Sequence, residues 1–421
     1  MKVNHAIELE KHIAQEIETN SVHPKKHPGI MSLKPIQLPP RLRDAMQIIL
    51  EKYPTKDLEA RSAKFLNHLW GRHPPQTDSV IQAKAAAIEK ELLDAEYRSF
   101  EAKIKGRLMK RLRYVTYHWQ PVEYDAFQGF IYMYSRLLFD YSALYRILHE
   151  IRMRDSSFSP VNMLDFGSGV GSSIWAVNAV WPKKKIQEHL CIDTSNDMNT
   201  IARLLLQGAQ EYAEPCFPGV YFRQSLSATS TNTYDIVICA FTLFEMPSQN
   251  ERLKLLLNLW RKTDCYLVIV EQGTNAAFQL INEARQFILE NSEMLSADER
   301  QSLKGHVFSP CPHDLKCPRT DASPCNTQVN SYDWKSEKQV SDLISIICTL
   351  YISDPQWPRL VRSCTKSNKC IHCRLCTSEG HLQYSIITSR RQGKALYRVA
   401  RASDWSDLLP VRDRESTDGD R

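Results

Sequence analysis

The 421-residue chain has no run approaching the ~20 apolar residues that a membrane-spanning helix needs, so no spanning segment is expected. Its amino terminus, MKVNHAIELEKHIAQEIE, lacks the apolar core of a secretory signal, and it is too rich in acid for an organelle transit peptide. Charge of one sign does not dominate either: a net +6 permits an acidic partner without demanding one. Twelve cysteines are too few, over this length, for a secreted disulfide scaffold. What remains is a globular composition, 43% hydrophobic and 24% charged, and a length that calls for two or three domains.

The most informative stretch is VNMLDFGSGVGSSIWA, residues 161–176. A short apolar run ends in Asp165, and Gly167, Gly169 and Gly171 then open a segment with helical patterning. This reads as strand, tight turn and helix. Glycine lets the backbone approach a ligand and adopt positive φ, and the amides at the helix start face outward to a polar group. The alternate-glycine spacing differs from the GxGxxG dinucleotide fingerprint and resembles motif I of the class I S-adenosylmethionine-dependent methyltransferases. An ordinary strand-to-helix turn without a ligand would look similar. The second apolar run, however, His189 to Ile192, ends in Asp193, where an acid would meet the ribose hydroxyls of a nucleoside cofactor.

Residues 1–40, with HPKKHPG and IQLPP, read as a flexible loop segment, and helical patterning dominates from Arg41 to His149. Within it, KIKGRLMKRLRYVTYHW (103–119) interleaves cations and rings, which suits phosphate contact with base stacking and equally a solvated face running into core aromatics. Apolar runs near Tyr221, over 235–241 and over 265–270 alternate with helical patterns at 198–212, 248–262 and 275–290, implying parallel strands buried on both faces. Past residue 300, glycine, proline and cysteine rise, and GHVFSPCPHDLKCPRTDASPCN reads as loop throughout. Such a stretch needs something to hold it.

Eight of the twelve cysteines follow residue 310. Cys311, Cys317 and Cys325 lie in a proline-stiffened loop, and Cys364, Cys370, Cys373 and Cys376 form a second group. Four thiolates from separated loops can hold a tetrahedral zinc or an iron–sulfur cluster. Chemistry alone favours zinc, the commoner structural metal.

The pairing of LDFGSGVGSSIWA with FSPCPHDLKCPR, the following CN, and LCTSEGH…SRRQGKALYRVARASDWSDLLP resembles the mitochondrial methyltransferase-like protein 17 family, assembly factors of the small mitochondrial ribosomal subunit. The likeness spans residues 40 to 410. It implies a class I methyltransferase fold with a four-iron, four-sulfur cluster held by Cys311, Cys317, Cys325 and Cys376, with Cys373 as rival for the fourth place and zinc as the alternative metal. It further implies S-adenosylmethionine contact by Asp165, Gly167, Gly169, Gly171 and Asp193, a place in the mitochondrial matrix, and the small mitoribosomal subunit and its rRNA as partners. No membrane partner is expected, and the free protein is expected to be a monomer.

The expected architecture is α/β: a flexible segment (1–40), a helical domain (41–155), a Rossmann-like class I methyltransferase domain (156–300), a cysteine-rich, RNA-facing extension (301–410) and a tail (411–421). Catalysis is not legible. The (N/D)PP(Y/F) motif of enzymes acting on exocyclic base nitrogens is missing, since its place reads AFTLFEM (240–246), and Cys239 sits inside an apolar run, as packing would require. Glu245 and Glu271 fall where strands should end and either border the pocket or are solvated loop acids. The stretch SRRQGKALYRVAR (389–401) reads as a basic turn between strands at 382–387 and 395–399, fitted to a phosphate backbone. An rRNA assembly factor is therefore the leading expectation, and an active rRNA methyltransferase with a structural metal site the alternative.

Overall fold

The computed structural model describes residues 2–3, 7–53, 56–74, 78–95, 106–112, 122–183, 186–227, 231–295, 304–319, 324–332, 338–349 and 356–413. The apolar runs of the chain's centre form parallel strands β1 (Asn162–Phe166), β2 (Glu188–Ile192), β3 (Val220–Arg223), β4 (Tyr234–Ala240) and β5 (Thr263–Gln272). The sheet continues past residue 300 with β6 (His306–Ser309) and β7 (Lys338–Thr349). The order is β3-β2-β1-β4-β5-β7-β6, with β7 antiparallel to both neighbours. Register places Leu164 between Leu190 and Val237. Helices cover both faces, so the central strands carry continuous apolar runs without alternation, as in Leu267 to Val270, all buried. This is the class I methyltransferase fold.

On one face lie the helices Ala126–Arg154, Ser172–Val180 and Asn196–Leu206, and on the other Gln249–Arg261 and Asn275–Leu295. The helix Ser172–Val180 is apolar nearly all round because it is enclosed nearly all round. The helix Ala126–Arg154 starts where the Asp125 carboxylate accepts the Gln128 N–H at 2.7 Å. Its 29 residues span roughly 44 Å at an α-helical rise. No described helix is long and apolar enough to cross a membrane.

Three local readings are corrected. The stretch 306–309 is strand β6 rather than loop, because Val307 and Phe308 are buried against the sheet and its helices. The amino-terminal residues are not a free lead-in. Ile7–Leu9 pairs antiparallel with Val411–Asp413, and the helix Lys11–Glu18 buries Ile13 and Ile17 in a core shared with Leu360, Ile371 and Leu396. The partners lie roughly 340 to 400 residues away, beyond the reach of local pattern; Gly29 packs so closely that a Cβ there would stand 2.0 Å from the Leu408 carbonyl oxygen. Finally, residues 395–399 are helical. The hairpin is formed by β8 (Cys370–Cys376) and β9 (Leu382–Thr388), and Gly393–Ala402 is a helix burying Ala395, Leu396, Val399 and Ala400. Positions i, i+1, i+4 and i+5 make one helical face. Arg390, Arg391, Lys394, Arg398 and Arg401 remain exposed on and beside the opposite face.

Of the basic segment 103–119, only residues 106–112 are described, and they are helical; Lys103, Lys105, Arg113, Tyr114, Tyr117 and Trp119 lie outside the described residues. Arg111 is ion-paired to Glu91 at 2.9 Å.

Candidate functional site

Strand order reverses between β1 and β4, and in such sheets the crevice outside the carboxyl ends of these strands receives ligands. A cleft of about 550 Å³ opens there, lined by Phe166, Gly167, Gly169, Asp193, Thr242 and Glu245 among others. Gly167 has φ +76°, and a Cβ on it would lie 2.1 Å from the Thr242 hydroxyl, so no side chain fits. Gly169, with φ +53°, presents its N–H to the Asp193 carboxylate at 2.8 Å, while the other Asp193 oxygen accepts the Ser195 N–H at 2.9 Å. Burial raises the Asp193 carboxyl, and these two amides oppose the shift.

Asp165 and Gly171 stand behind the cleft, outside its lining. Asp165 is buried and accepts the Ser173 hydroxyl; burial lifts its carboxyl to about 7. It braces the helix start from beneath. Gly171, at φ +80°, is the N-cap residue of the helix Ser172–Val180. Three of the five expected cofactor residues thus face the cleft, and two shape the turn.

A polar network forms the floor. The Glu245 carboxylate borders the cleft but is engaged by Arg72 at 2.5 Å and by the Tyr124 hydroxyl at 3.2 Å. Arg72 also donates to the Phe244 carbonyl at 2.9 Å. Glu271 is buried instead, accepting the Leu243 N–H at 2.8 Å, and burial lifts its carboxyl to about 8. Tyr132 donates to Asp140 at 2.6 Å, and Asp140 pairs with Arg136, whose guanidinium lies 4.2 and 4.5 Å from the Phe139 and Phe241 ring centroids. Burial drives both tyrosine hydroxyls well above their ordinary range. Of the carboxylates in this network only Glu245 borders the cleft, where Arg72 neutralises it; Asp193 and Glu251 also line the cleft. Cys239 is buried within β4.

The cysteines make a second centre. Cys311, Cys317 and Cys325, from the loop after β6, and Cys376, from the end of β8, line one cavity with Arg285 and Arg319. The loop is fixed by the Asp314 carboxylate, which accepts the Val307 N–H at 2.7 Å and bonds His306 Nδ1 at 2.7 Å. Arg285 holds it from the helix Asn275–Leu295, donating to the carbonyls of His313 at 2.8 Å and Leu315 at 2.7 Å. His313 Nε2 stands 3.4 Å from the Cys376 sulfur.

Strand geometry separates the two rivals for the fourth place. Cys373 and Cys376 are three apart on β8, so they point to opposite faces. Cys376 faces the cavity, whereas Cys373 packs with Ile371, Leu375 and Ile387. Cys370 shares the face of Cys376 but stands roughly 20 Å along the strand.

Burial raises the thiols of Cys311, to about 12, of Cys325 and of Cys376. Arg285 is buried, and its Nε and one terminal nitrogen have no hydrogen-bond partner. Four thiols and an under-satisfied buried cation fit an anionic inorganic centre. The sulfurs of a tetrahedral zinc lie within roughly 4 Å of one another. Among the described residues, no group of three or more His, Cys, Asp or Glu is arranged to hold a single metal ion. Arg285, Arg319 and His313 were not legible as site residues, since no spacing links them to the cysteines.

The sequence profile of the family described as mitochondrial small ribosomal subunit Rsm22 matches residues 126–410. The human protein named ribosome assembly protein METTL17, mitochondrial, is 36% identical over 396 residues, covering 92% of this chain and 86% of that protein. Rsm22-cox11 tandem protein 2, mitochondrial, from Schizosaccharomyces pombe is 24% identical over 331 residues, covering 68% of this chain and only 43% of the tandem protein. Among solved structures, magnesium protoporphyrin IX methyltransferase from Synechocystis PCC 6803 with bound SAH superposes with a TM-score of 0.33 at 12% identity, covering 62% of this chain and 99% of that one.

Proposed function

The chain belongs to the mitochondrial small ribosomal subunit Rsm22 family, and we propose that it serves in the mitochondrial matrix as an assembly factor of the small ribosomal subunit. It binds that subunit's rRNA and so supports mitochondrial translation. The exposed row Arg390, Arg391, Lys394, Arg398 and Arg401 supplies a phosphate-facing surface. The glycine-lined cleft binds S-adenosylmethionine, with Asp193 accepting from the ribose and the Gly167 turn leaving room for the ligand. When bound, that cofactor would supply an electrophilic methyl group.

Cys311, Cys317, Cys325 and Cys376 would hold a four-iron, four-sulfur cluster, which would cross-link the loop after β6 to the end of β8. Arg285 balances its negative charge. The observation that carries this reading is the meeting of thiols from residues 311–325 and from 376 in one cavity, in a chain of this family. The second reading is an active rRNA methyltransferase with a structural metal, favoured by the open cleft. A released proton would need an acceptor-side group; Glu245 is engaged by Arg72 and Tyr124, which leaves Glu251 as the other glutamate lining the cleft.

Full-length protein purified without oxygen should be brown and carry iron and acid-labile sulfide. Cys376→Ser should lose both, and Cys373→Ser should keep them. Colourless wild-type protein holding one zinc per chain would overturn the cluster.

A further inference from the structure

The thiols outside the cysteine cavity include a matched pair. Asn368 and Lys369, at φ +39° and +65°, form the two-residue turn between the strand Thr365–Ser367 and β8. Turns of this length with positive φ at both positions fix hairpin register. Ser367 pairs with Cys370, Lys366 with Ile371 and Thr365 with His372. One step further sets Cys364 opposite Cys373. Counting outward from the turn, hydrogen-bonded and non-hydrogen-bonded pairs alternate, and this fourth pair is of the non-hydrogen-bonded kind. A pair of that kind brings Cα atoms to about 4.5 Å, within the span a disulfide bridges. The two sulfurs stand 3.5 Å apart, both cysteines are free, Cys364 is half-exposed and Cys373 is buried.

We propose that Cys364 and Cys373 form a reversible redox dithiol, separate from the four cavity thiols, that responds to two-electron oxidants such as hydrogen peroxide. Cys364, the accessible partner, attacks the peroxide oxygen; the O–O bond breaks, Cys364 becomes a sulfenic acid, and water leaves. The Cys373 sulfur then attacks that sulfur. The S–S bond forms, the S–O bond breaks, and the hydroxide departs as water with the Cys373 proton. Closing the gap to a bond of ~2.05 Å needs side-chain rotation rather than backbone movement. The bond ties an exposed edge strand to the strand whose far end carries Cys376. A reductant dithiol reverses it.

The test treats full-length holoprotein with hydrogen peroxide, alkylates remaining thiols, and digests with trypsin without reductant. Peptide 363–366 and peptide 370–374 alkylated once, at Cys370, should then migrate as one species, lighter by two hydrogens than their sum and separated by dithiothreitol. The linkage should persist in Cys370→Ser and vanish in Cys364→Ser. Alkylation of both Cys364 and Cys373 in the wild type, or a linkage lost in Cys370→Ser, would overturn the proposal. The Cys370→Ser arm decides between the two thiols of peptide 370–374 even if a change at buried Cys373 prevents folding.

Discussion

Replacing Glu150 with glutamine keeps the side chain's shape and removes a charge that three arginines share. The Glu150 carboxylate pairs with Arg146 at 3.0 Å, with Arg154 at 3.3 Å and with Arg359, and it accepts the Ser309 hydroxyl at 2.8 Å. Arg154 donates onward to the Phe308 carbonyl at 2.6 Å, and Arg359 to that of Ser406 at 2.7 Å. One carboxylate therefore fastens the long helix, strand β6 and the carboxyl-terminal part together. Burial by itself would raise its pKa, but Arg359, Arg146 and Arg154 outweigh burial and hold the carboxyl well below the usual range. Uncompensated buried charge costs about 3–5 kcal/mol. With a urea slope of ~3 kcal/mol/M, the midpoint for Glu150→Gln should fall by roughly 1–1.7 M. Unfolding would be followed by tryptophan fluorescence at pH 7, with the exposed Glu379→Gln as an unaffected control. Because the folded pKa is depressed, the contribution is present above the unfolded value of about 4.3 and is lost as pH falls further. The gap between the two proteins should narrow in acid. A Glu150→Gln midpoint equal to the wild type at pH 7 would refute the reasoning.

Asp193→Ala removes the proposed ribose acceptor and frees the Gly169 amide. With ~1.5–3 kcal/mol for a charged hydrogen bond, S-adenosylmethionine affinity by calorimetry should drop at least about tenfold, and unchanged affinity would remove Asp193 from the site. Asp165 has the opposite pH sign to Glu150. Its folded pKa, near 7, is raised, so its contribution is full below about 4 and lost as pH rises through 7. Tm of the wild type should therefore decline between pH 4 and 8 more steeply than that of Asp165→Asn, and parallel profiles would count against a buried proton.

The sheet's first five strands and the glycine turn were legible because their signals are local: apolar runs ending in acids, and glycines where a side chain would strike Thr242. Two kinds of information were not. The first is parity. Cys373 and Cys376 are indistinguishable in the sequence until a strand assigns them to opposite faces. The stretch 395–399 likewise reads as strand until Ala395, Leu396, Val399 and Ala400 are seen to share a helical face. The second is distance along the chain. Arg285 reaches the cysteine cavity, Arg72 reaches Glu245, and Ile13 and Ile17 complete a core built from residues beyond 359, all through contacts that no short window contains.

Strand β7 has a consequence for the protein's modularity. A fragment ending at residue 300 would leave β5, whose residues 266–272 pair with β7, as a bare apolar border open to other chains. The cysteine-bearing portion is then no detachable accessory. It is the keystone without which the methyltransferase-like half has no finished rim.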